Sequence, residues 1–132
     1  MAEALIVDAS AMVDLLVGAP LAAPIEARLR GHVLHAPAHF DAEVLSALGR
    51  LQRSGEMTVR QVTTRIHRVA SAPIERHLLN PLLEGAWKRR HNLRLVDGLY
   101  VELADQLDAT IVTTDSGLAS VSRAAELISG ST

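Results

Sequence analysis

The sequence predicts an α/β fold built on a central, mostly parallel β-sheet with helices on both faces. Short aliphatic or β-branched runs alternate along the chain with longer segments whose apolar residues recur at helical spacing. The 132 residues are 48% hydrophobic, which suffices for the two-sided core of a parallel sheet. Because the sequence contains no linker, internal repeat or low-complexity segment, we expect one domain over residues 1–132.

The predicted strands are short runs of branched and aliphatic residues. In chain order they are residues 5–7, residues 33–34, a run around Ile74, residues 110–113 and a weak last strand at residues 127–128. The serine-rich end that follows, residues 129–132, is expected to fray.

Seven helices are predicted between these strands, from apolar spacing and from flanking start and stop signals. They are residues 11–17, residues 24–29, a segment from after Pro37 to a stop at Ser54-Gly55, a segment from an N-cap at Thr58 to a stop at Ala72-Pro73, residues 82–90, residues 98–107 and residues 118–124. The helix over residues 82–90 would place three basic residues in its last turn, where they complement the helix dipole.

Charge is unevenly distributed along the sequence, although the net charge is only −2. Residues 50–94 hold ten of the thirteen basic residues and three acids, a local charge of +7, and the remainder is −9. Taken alone, this segregation favours solvated helix faces over a phosphate-binding surface. One Trp, one Tyr and one Phe leave no base-stacking platform, so a nucleic acid would be bound through its backbone.

The sequence has no cysteine, which excludes disulfides and thiolate metal sites. The N-terminal apolar run is only residues 5–7, too short for a signal peptide or a membrane span, so we expect a soluble cytoplasmic protein. Any metal must be held by oxygen or imidazole. The spacing of the six histidines matches no metal site, and His35 and His39 are not expected to form one.

Two acids follow predicted strands directly: Asp8 ends "LIV" and Asp115 ends "TIVTT". Taken singly, each is better explained as a helix N-cap or an Asx turn. Together the two acids favour a ligand-binding site, because the carboxyl ends of parallel strands meet at one edge of a sheet, where α/β proteins bind ligands. If these two strands are neighbours, the two carboxylates converge.

Two further acids are candidates. Asp97 lies on the apolar stripe at the start of a predicted helix, and helix capping and a ligand role explain it equally well. Glu43 and Asp41 lie on either side of the apolar stripe of their helix, and helical geometry does not choose between them. Asp41 also fits a first-turn acid that complements the helix dipole.

A cluster of such acids requires protons or a cation. Two carboxylates about 5 Å apart repel by roughly 3 kcal/mol at an effective dielectric constant near 20, and three or four repel by several times that. With oxygen ligands alone, the favoured cation is Mg²⁺ or Mn²⁺, which keeps some of its waters and contacts phosphate oxygens.

Three stretches together resemble the PIN-domain ribonucleases, specifically the VapC-type toxins of prokaryotic toxin–antitoxin pairs. They are "LIVDAS", "APAHFDAEVLSAL" and "LVDGLYVELADQLDATIVTTDSGL", in family order over nearly the whole chain. The resemblance implies an acidic quartet of Asp8, Glu43, Asp97 and Asp115, and so selects Glu43 over Asp41. It also implies the strand order 3-2-1-4-5, which makes the strands that precede Asp8 and Asp115 neighbours.

The resemblance further assigns Ser10 and Thr113 to hydroxyl positions that lie beside the acids and orient ligands or water. The quartet would hold one or two Mg²⁺ or Mn²⁺ ions and activate a water for in-line attack on an RNA phosphodiester. Glu43 is our candidate to accept the proton, and Lys88, Arg89 and Arg90 are our candidates to bind phosphate. The expected products carry a 5′-phosphate and a 3′-hydroxyl.

The family resemblance also implies partners. The substrate would be structured RNA, such as a tRNA or a ribosomal loop, and a cognate VapB-like antitoxin would block the acidic site. A homodimer is expected, and apolar faces on residues 38–51 and 59–69 are consistent with an interface. The alternative is a catalytically silent PIN-like module that binds RNA or protein, which the presence of all four acids disfavours.

Two other enzyme classes with similar architecture fit less well. A haloacid dehalogenase-type phosphotransferase requires a second Asp two residues after the first, where this chain has Ser10. A response-regulator receiver requires an Asp at the third strand and a late Lys, but the only Lys is Lys88.

Overall fold

The predicted α/β architecture is confirmed in a computed structural model that describes residues 3–129. Within these residues, five strands form one sheet in the order β3-β2-β1-β4-β5, and every neighbouring pair is parallel. The strands are β1 (Ala4–Val7), β2 (Val33–Pro37), β3 (Ile74–His77), β4 (Thr110–Thr113) and β5 (Ala125–Leu127). The strands that precede Asp8 and Asp115, β1 and β4, are neighbours, as the strand order 3-2-1-4-5 requires.

In the described part of the chain, seven α-helices connect the strands, and a short 3₁₀ helix at Asn80–Leu82 precedes the fifth. The helices are α1 (Ala9–Val17), α2 (Ala22–Leu29), α3 (Phe40–Arg53), α4 (Val59–Ser71), α5 (Leu83–Lys88), α6 (Leu95–Leu107) and α7 (Ser116–Val121). The predicted cap at Thr58 is confirmed, because its side chain accepts from the amide of Gln61 and the Gln61 side chain accepts from the Thr58 amide.

Several predicted boundaries are wrong; for example, the sixth helix begins at Leu95 rather than at residue 98, and β2 extends to Pro37 rather than ending at residue 34. The last strand is Ala125–Leu127 rather than residues 127–128, since this half-exposed edge strand takes its register from β4 and carries little hydrophobic signal. The helix predicted over residues 82–90 begins as a 3₁₀ turn and ends at Lys88. The last helix begins two residues earlier than predicted, directly after its cap Asp115, and ends at Val121.

Burial of β1 on both sides explains the central position of this strand. Leu5, Ile6 and Val7 are all fully buried, although consecutive side chains of a strand point to opposite faces of the sheet. Helices therefore cover the sheet on both faces, as the sequence predicts. The prediction of a frayed C-terminus concerns mainly residues 130–132, which, like residues 1 and 2, lie outside the described residues.

Within residues 3–129, no single helix is long and apolar enough to cross a membrane. The pair α1 and α2 reaches the required length and hydropathy only when taken together, and the two helices are bent by 118° relative to each other.

Candidate active site

Asp8 lies at the carboxyl end of β1, where the strand passes into α1. Only 5% of the residue is exposed. Its Oδ1 accepts from the Ser10 hydroxyl at 2.8 Å and from the Ala11 amide at 2.9 Å, and its Oδ2 accepts from the Thr113 hydroxyl. Asp8 is therefore the N-cap of α1, as one interpretation of the sequence held, and the same hydrogen bonds fix the carboxylate at the edge of the sheet.

Burial raises the pKa of Asp8 above the ordinary value of an aspartate, and the nearby charge of Asp115 raises it further. The hydrogen bonds from Thr113, Ala11 and Ser10 oppose this shift without cancelling it. An ionised Asp8 is thus held in a position that is unfavourable for a lone negative charge. A bound cation would relieve that penalty.

The hydroxyls of Ser10 and Thr113 join the ends of β1 and β4. Thr113 is fully buried, and its Oγ accepts from the amide of Asp115 at 2.9 Å while it donates to Asp8. Ser10 accepts from the amide of Thr114 at 3.2 Å while it donates to Asp8. Each hydroxyl therefore connects the Asp8 carboxylate to the loop that carries Asp115.

Asp115 caps α7 and faces a cleft. Its Oδ1 accepts from the amides of Gly117 at 2.8 Å and Leu118 at 3.3 Å. A β-carbon at Gly117 would lie 3.1 Å from this oxygen, so a side chain there would crowd the cap. The cleft measures about 420 Å³, and Asp97 and Arg94 line it together with Asp115.

Asp97 is an acid in the first turn of α6, not its N-cap. The helix begins at Leu95, and the N-cap residue Arg94 makes no side-chain capping bond, so the capping interpretation of Asp97 is wrong. The Arg94 guanidinium instead donates to both carboxylate oxygens, with Nε at 2.9 Å from Oδ2 and Nη2 at 3.3 Å from Oδ1. Only 15% of the Asp97 side chain is exposed, against 71% for Arg94.

Glu43 and Asp41 both lie on α3 but contact different partners. The helical pattern alone does not distinguish them. Asp41 accepts two hydrogen bonds from the Arg76 guanidinium, at 3.0 and 3.1 Å, at the end of β3. Glu43 instead accepts from the Tyr100 hydroxyl of α6 at 2.7 Å. Asp41 is thus engaged by a structural ion pair, and Glu43 is directed toward α6, which also carries Asp97.

Tyr100 and His39, for which the sequence alone predicts no role, complete the surroundings of Glu43. Their rings pack edge to face with centroids 5.0 Å apart, and the His39 Nε2 lies 3.5 Å from the Glu43 Oε1. Burial and the charges of Glu43 and Asp8 raise the pKa of Tyr100, so its hydroxyl remains a donor. The sequence feature that points to Tyr100 is its spacing of three residues from Asp97, which places both residues on neighbouring positions of one helix face.

Electrostatic coupling links the four predicted acids into one group. The charge of Asp115 contributes to the raised pKa of Asp8, and the charges of Glu43 and Asp8 contribute to the raised pKa of Tyr100. The pKa of Arg94 is raised in turn by the charges of Asp97, Asp115 and Glu43. Within residues 3–129, however, no three of these carboxylates have oxygens within 4.8 Å of one another. Arg94 is a cation that three of the four acids, Asp97, Asp115 and Glu43, share.

The donor set suits a hard divalent cation. Carboxylates of Asp8, Glu43, Asp97 and Asp115 supply only oxygen ligands, and Ser10 and Thr113 hydroxyls orient the most buried of them. The exposed Arg94 side chain can swing away from Asp97, which would then be available to an ion. The residues therefore fit Mg²⁺ or Mn²⁺ better than a softer metal.

The three predicted phosphate-binding residues differ in their surroundings. Arg89 donates to Glu102 and lies 3.8 Å from Asp105, so its charge is neutralised within the protein. Lys88 and Arg90 are exposed, and the Arg90 guanidinium lies 4.5 Å from the centroid of the Trp87 ring. Lys88 and Arg90 thus keep their charge available to a phosphate, whereas Arg89 does not.

The sequence matches a known family and proteins that belong to it. Residues 5–124 match the family model for the PIN domain. Ribonuclease VapC3 of Mycobacterium tuberculosis is 52% identical over 118 residues, which cover 89% of this chain and 86% of that protein. Ribonuclease VapC12 of the same organism is 35% identical over 115 residues, covering 87% and 89% of the two chains.

Two solved structures share the fold. The crystal structure of PAE2754 from Pyrobaculum aerophilum superimposes with a TM-score of 0.68 at 24% identity and covers 94% of this chain and 82% of that one. The structure of Mycobacterium tuberculosis VapC20, described as a toxin that cleaves the sarcin–ricin loop, gives a TM-score of 0.66 at 15% identity and covers 88% and 93%.

Proposed function

The chain belongs to the PIN-domain family as a toxin ribonuclease of the VapC type, and on that premise we propose that it cleaves RNA at the carboxylate group of Asp8, Glu43, Asp97 and Asp115. We further propose that residues 1–132 form one PIN domain. The observation that carries the site assignment is the buried Asp8 carboxylate, which three donors hold at the junction of β1 and β4.

Each acid has a separate role in this proposal. Asp8 is the fixed ligand, because burial and three hydrogen bonds leave it no freedom to move. Asp97 and Asp115 line the open cleft and would hold the metal together with Asp8. Ser10 and Thr113 orient Asp8, a task for which hydroxyl donors bound to backbone amides are suited.

Glu43 is the proposed proton acceptor. A hydrogen bond from Tyr100 and the proximity of His39 orient its carboxylate, and a third of its side chain remains exposed to solvent and substrate. A carboxylate oriented in this way takes the proton from the attacking water as the new bond to phosphorus forms. The bond from phosphorus to the 3′-oxygen breaks on the side opposite the incoming water, and the departing oxygen takes up a proton from solvent, so the products carry a 5′-phosphate and a 3′-hydroxyl.

One or two divalent ions, Mg²⁺ or Mn²⁺, are the proposed cofactor, and such an ion supplies a water of lowered pKa and a counter-charge for the phosphate. Arg94 has a related role in the protein itself. Its guanidinium already neutralises Asp97, and on RNA binding it can exchange that carboxylate for a phosphate oxygen.

The proposed partners follow from the family. The substrate is RNA, and we propose a tRNA or another structured RNA that is bound through its phosphates, since exposed aromatic residues are scarce. A cognate VapB-like antitoxin would neutralise the toxin by covering the acidic site. We also propose a homodimer, for which the exposed Leu45 of α3 and Val59 of α4 offer apolar surface.

The decisive experiment measures cleavage of total RNA by the purified protein in Mn²⁺, after EDTA, and after Mn²⁺ is restored. We expect EDTA to abolish cleavage and Mn²⁺ to restore it. Asp97→Asn should lose more than about 100-fold in rate, while Asp41→Asn, which changes an acid that is paired with Arg76 instead, should retain activity. Chelator-resistant cleavage, or a fully active Asp97→Asn, would contradict the proposal.

A cellular experiment tests the substrate class. Mapping of 5′-phosphate ends after induction should show discrete new ends for the wild type and none for Asp8→Asn. RNA binding with no cleavage under any metal condition would instead support the catalytically silent module.

A further inference from the structure

A second group of metal-type ligands lies on β2 and β3, among residues that the proposed RNA-cleaving site does not use. His35 Nδ1 lies 2.9 Å from His77 Nε2 and 3.5 Å from Glu75 Oε2. All three ligand atoms fall within 4.8 Å of one another, and within residues 3–129 no other three metal-type side chains come so close. The sequence did not reveal this group, because strand register rather than chain spacing brings the residues together.

Strand register explains why the three side chains share one face. His35 is paired with Glu75, and Pro37 is paired with His77, across the parallel strands β2 and β3. Residues two apart on a strand point to the same side, and paired residues of neighbouring strands do as well. His35, Glu75 and His77 therefore project from the same face of the sheet at its β3 edge. The opposite face at this edge carries Arg76, which is bound to Asp41.

The distances match the ligand cage of a tetrahedral metal ion. Ligand bonds of about 2.0–2.2 Å at tetrahedral angles place neighbouring ligand atoms ~3.3 Å apart. The two separations from His35, 2.9 and 3.5 Å, lie on either side of that value. Two imidazoles and one carboxylate are a ligand set typical of Zn²⁺, and they leave the fourth position to water.

We propose that His35, Glu75 and His77 form a binding site for a borderline transition-metal ion, with Zn²⁺ as the representative, distinct from the carboxylate group at the ends of β1 and β4. The two sites select different metals. Imidazole nitrogen favours zinc-type ions, whereas the all-oxygen set of Asp8, Asp97 and Asp115 favours Mg²⁺ or Mn²⁺. Neither site shares a residue with the other.

The surroundings of His35 and Glu75 suit metal ligands. Burial lowers the pKa of His35, and the neighbouring His77 lowers it further, while Glu75 partly opposes the shift. Neutral imidazole is the form that binds a metal. The 65% exposure of the Glu75 side chain leaves the group open to solvent on one side, which provides a route for an ion.

An ion at this position would stabilise the edge of the sheet by linking β2 to β3. Among the described residues, β3 is the outermost strand on its side and is paired only with β2. His77 is also the last residue of β3, and its carbonyl accepts from the amide of Ala38, just before α3. Because 42 residues separate His35 from His77, the unfolded chain has no such site, so ion binding stabilises the folded state.

Thermal unfolding of the full chain, with and without Zn²⁺, tests this site independently of RNA cleavage. At a Zn²⁺ concentration 100 times its Kd we expect the Tm to rise by about 10 °C. His77→Gln and Glu75→Gln should remove most of that rise. His67→Gln, which changes an exposed histidine of α4, and Asp97→Asn, which changes the carboxylate group, should keep it.

Co²⁺ substitution supplies a second readout that does not depend on stability. The wild type and Asp97→Asn should both give the visible absorption of tetrahedral Co²⁺, and His35→Asn and His77→Gln should lose it while keeping the wild-type far-ultraviolet circular dichroism. A Zn²⁺-dependent rise in Tm that survives in His77→Gln, or that disappears in Asp97→Asn, overturns the proposal, as does a wild type that shows neither the rise nor the absorption.

Discussion

Tyr100 donates its hydroxyl hydrogen bond to Oε1 of Glu43 at 2.7 Å, although 57 residues separate the two in sequence. The bond joins α6 to α3, the helices that carry Asp97 and Glu43. It also fixes the carboxylate that we propose as the proton acceptor. Because the buried Tyr100 remains protonated, the bond persists over the whole pH range in which a ribonuclease is assayed.

Tyr100→Phe should therefore reduce RNA cleavage by about 10- to 100-fold with little change in fold, since the ring and its contact with His39 remain. Loss of the donor leaves Glu43 free to adopt other rotamers. The expected change is in kcat rather than KM, together with an altered pH profile on the acidic side. A change in KM alone would indicate that Tyr100 contacts the RNA instead of positioning Glu43.

The two acids of α3 provide a matched test of the site assignment. Glu43→Gln preserves the acceptor for Tyr100 but cannot take a proton, so we expect cleavage to fall by about 10²- to 10⁴-fold at unchanged stability. Asp41→Asn should show the reverse, with normal cleavage and a free energy of unfolding lower by about 0.5–1 kcal/mol, because half-exposed Asp41 pairs only with Arg76. Cleavage rates and urea unfolding of both variants distinguish the two roles, and equal loss of activity would contradict the assignment.

Asp8→Asn should abolish cleavage and yet stabilise the protein at neutral pH. The folded-state pKa of Asp8 is raised mainly by burial, so protonation of Asp8 favours folding, and this contribution is lost as the pH rises through the folded-state pKa. At pH 7 the substitution removes a buried charge, and we expect Tm to rise by roughly 4 °C, the effect of about 1 kcal/mol on a domain of this size.

The difference in Tm between Asp8→Asn and the wild type should shrink as the pH is lowered toward the ordinary pKa of an aspartate, because the wild-type carboxyl then takes up a proton. Mn²⁺ at pH 7 should narrow the difference as well, by stabilising the wild type alone. Thermal unfolding at several pH values, with and without Mn²⁺, measures both effects. A variant less stable than the wild type at pH 7 would mean that the hydrogen bonds to Asp8 outweigh its burial.

The sequence predicted the sheet well because the strands at its centre are buried on both faces and read as continuous apolar runs. Thr110–Thr113 was located without error, and the capping signal at Thr58 was reliable because it is local. The edge strand Ala125–Leu127 was misplaced, since its register depends on β4 rather than on its own residues.

The site was less accessible to sequence reasoning than the sheet. The different roles of Glu43 and Asp41 depend on their partners Tyr100 and Arg76, which lie 57 and 35 positions away in the sequence. A helical wheel does not include such partners. The ion pair between Arg94 and Asp97 is local, but a spacing of three residues at a helix start is equally consistent with capping. The meeting of His35 with His77 required the strand register itself.

If Asp97 binds metal as we propose, its ion pair with Arg94 must be broken first. Since the Arg94 side chain is 71% exposed, its ion pair contributes less than about 1 kcal/mol, and Arg94→Gln should tighten Mn²⁺ binding by up to about five-fold. Calorimetric titration without RNA measures this directly. Arg30→Gln, which removes an exposed ion pair with Glu26 on α2, should leave Mn²⁺ binding unchanged. Weaker binding in Arg94→Gln would show that the guanidinium supports the metal site rather than competing with it.

The three basic residues at positions 88–90 should separate into two classes. Lys88 and Arg90 are exposed, so each is free to neutralise one phosphate of a bound RNA. Lys88→Gln and Arg90→Gln should therefore each reduce the slope of log affinity against log salt concentration by about 0.7–0.9, because one fewer counterion is released on binding.

Arg89→Gln should instead lower the free energy of unfolding by about 1–3 kcal/mol, because Glu102, whose side chain is only 15% exposed, loses its charged partner. Its salt slope should match that of the wild type. RNA binding by an inactive Asp97→Asn background at several salt concentrations measures the slopes, and urea unfolding measures the stabilities. A reduced slope in Arg89→Gln with normal stability would show that Arg89 leaves Glu102 to bind RNA, and the phosphate-binding surface would then extend across all three residues.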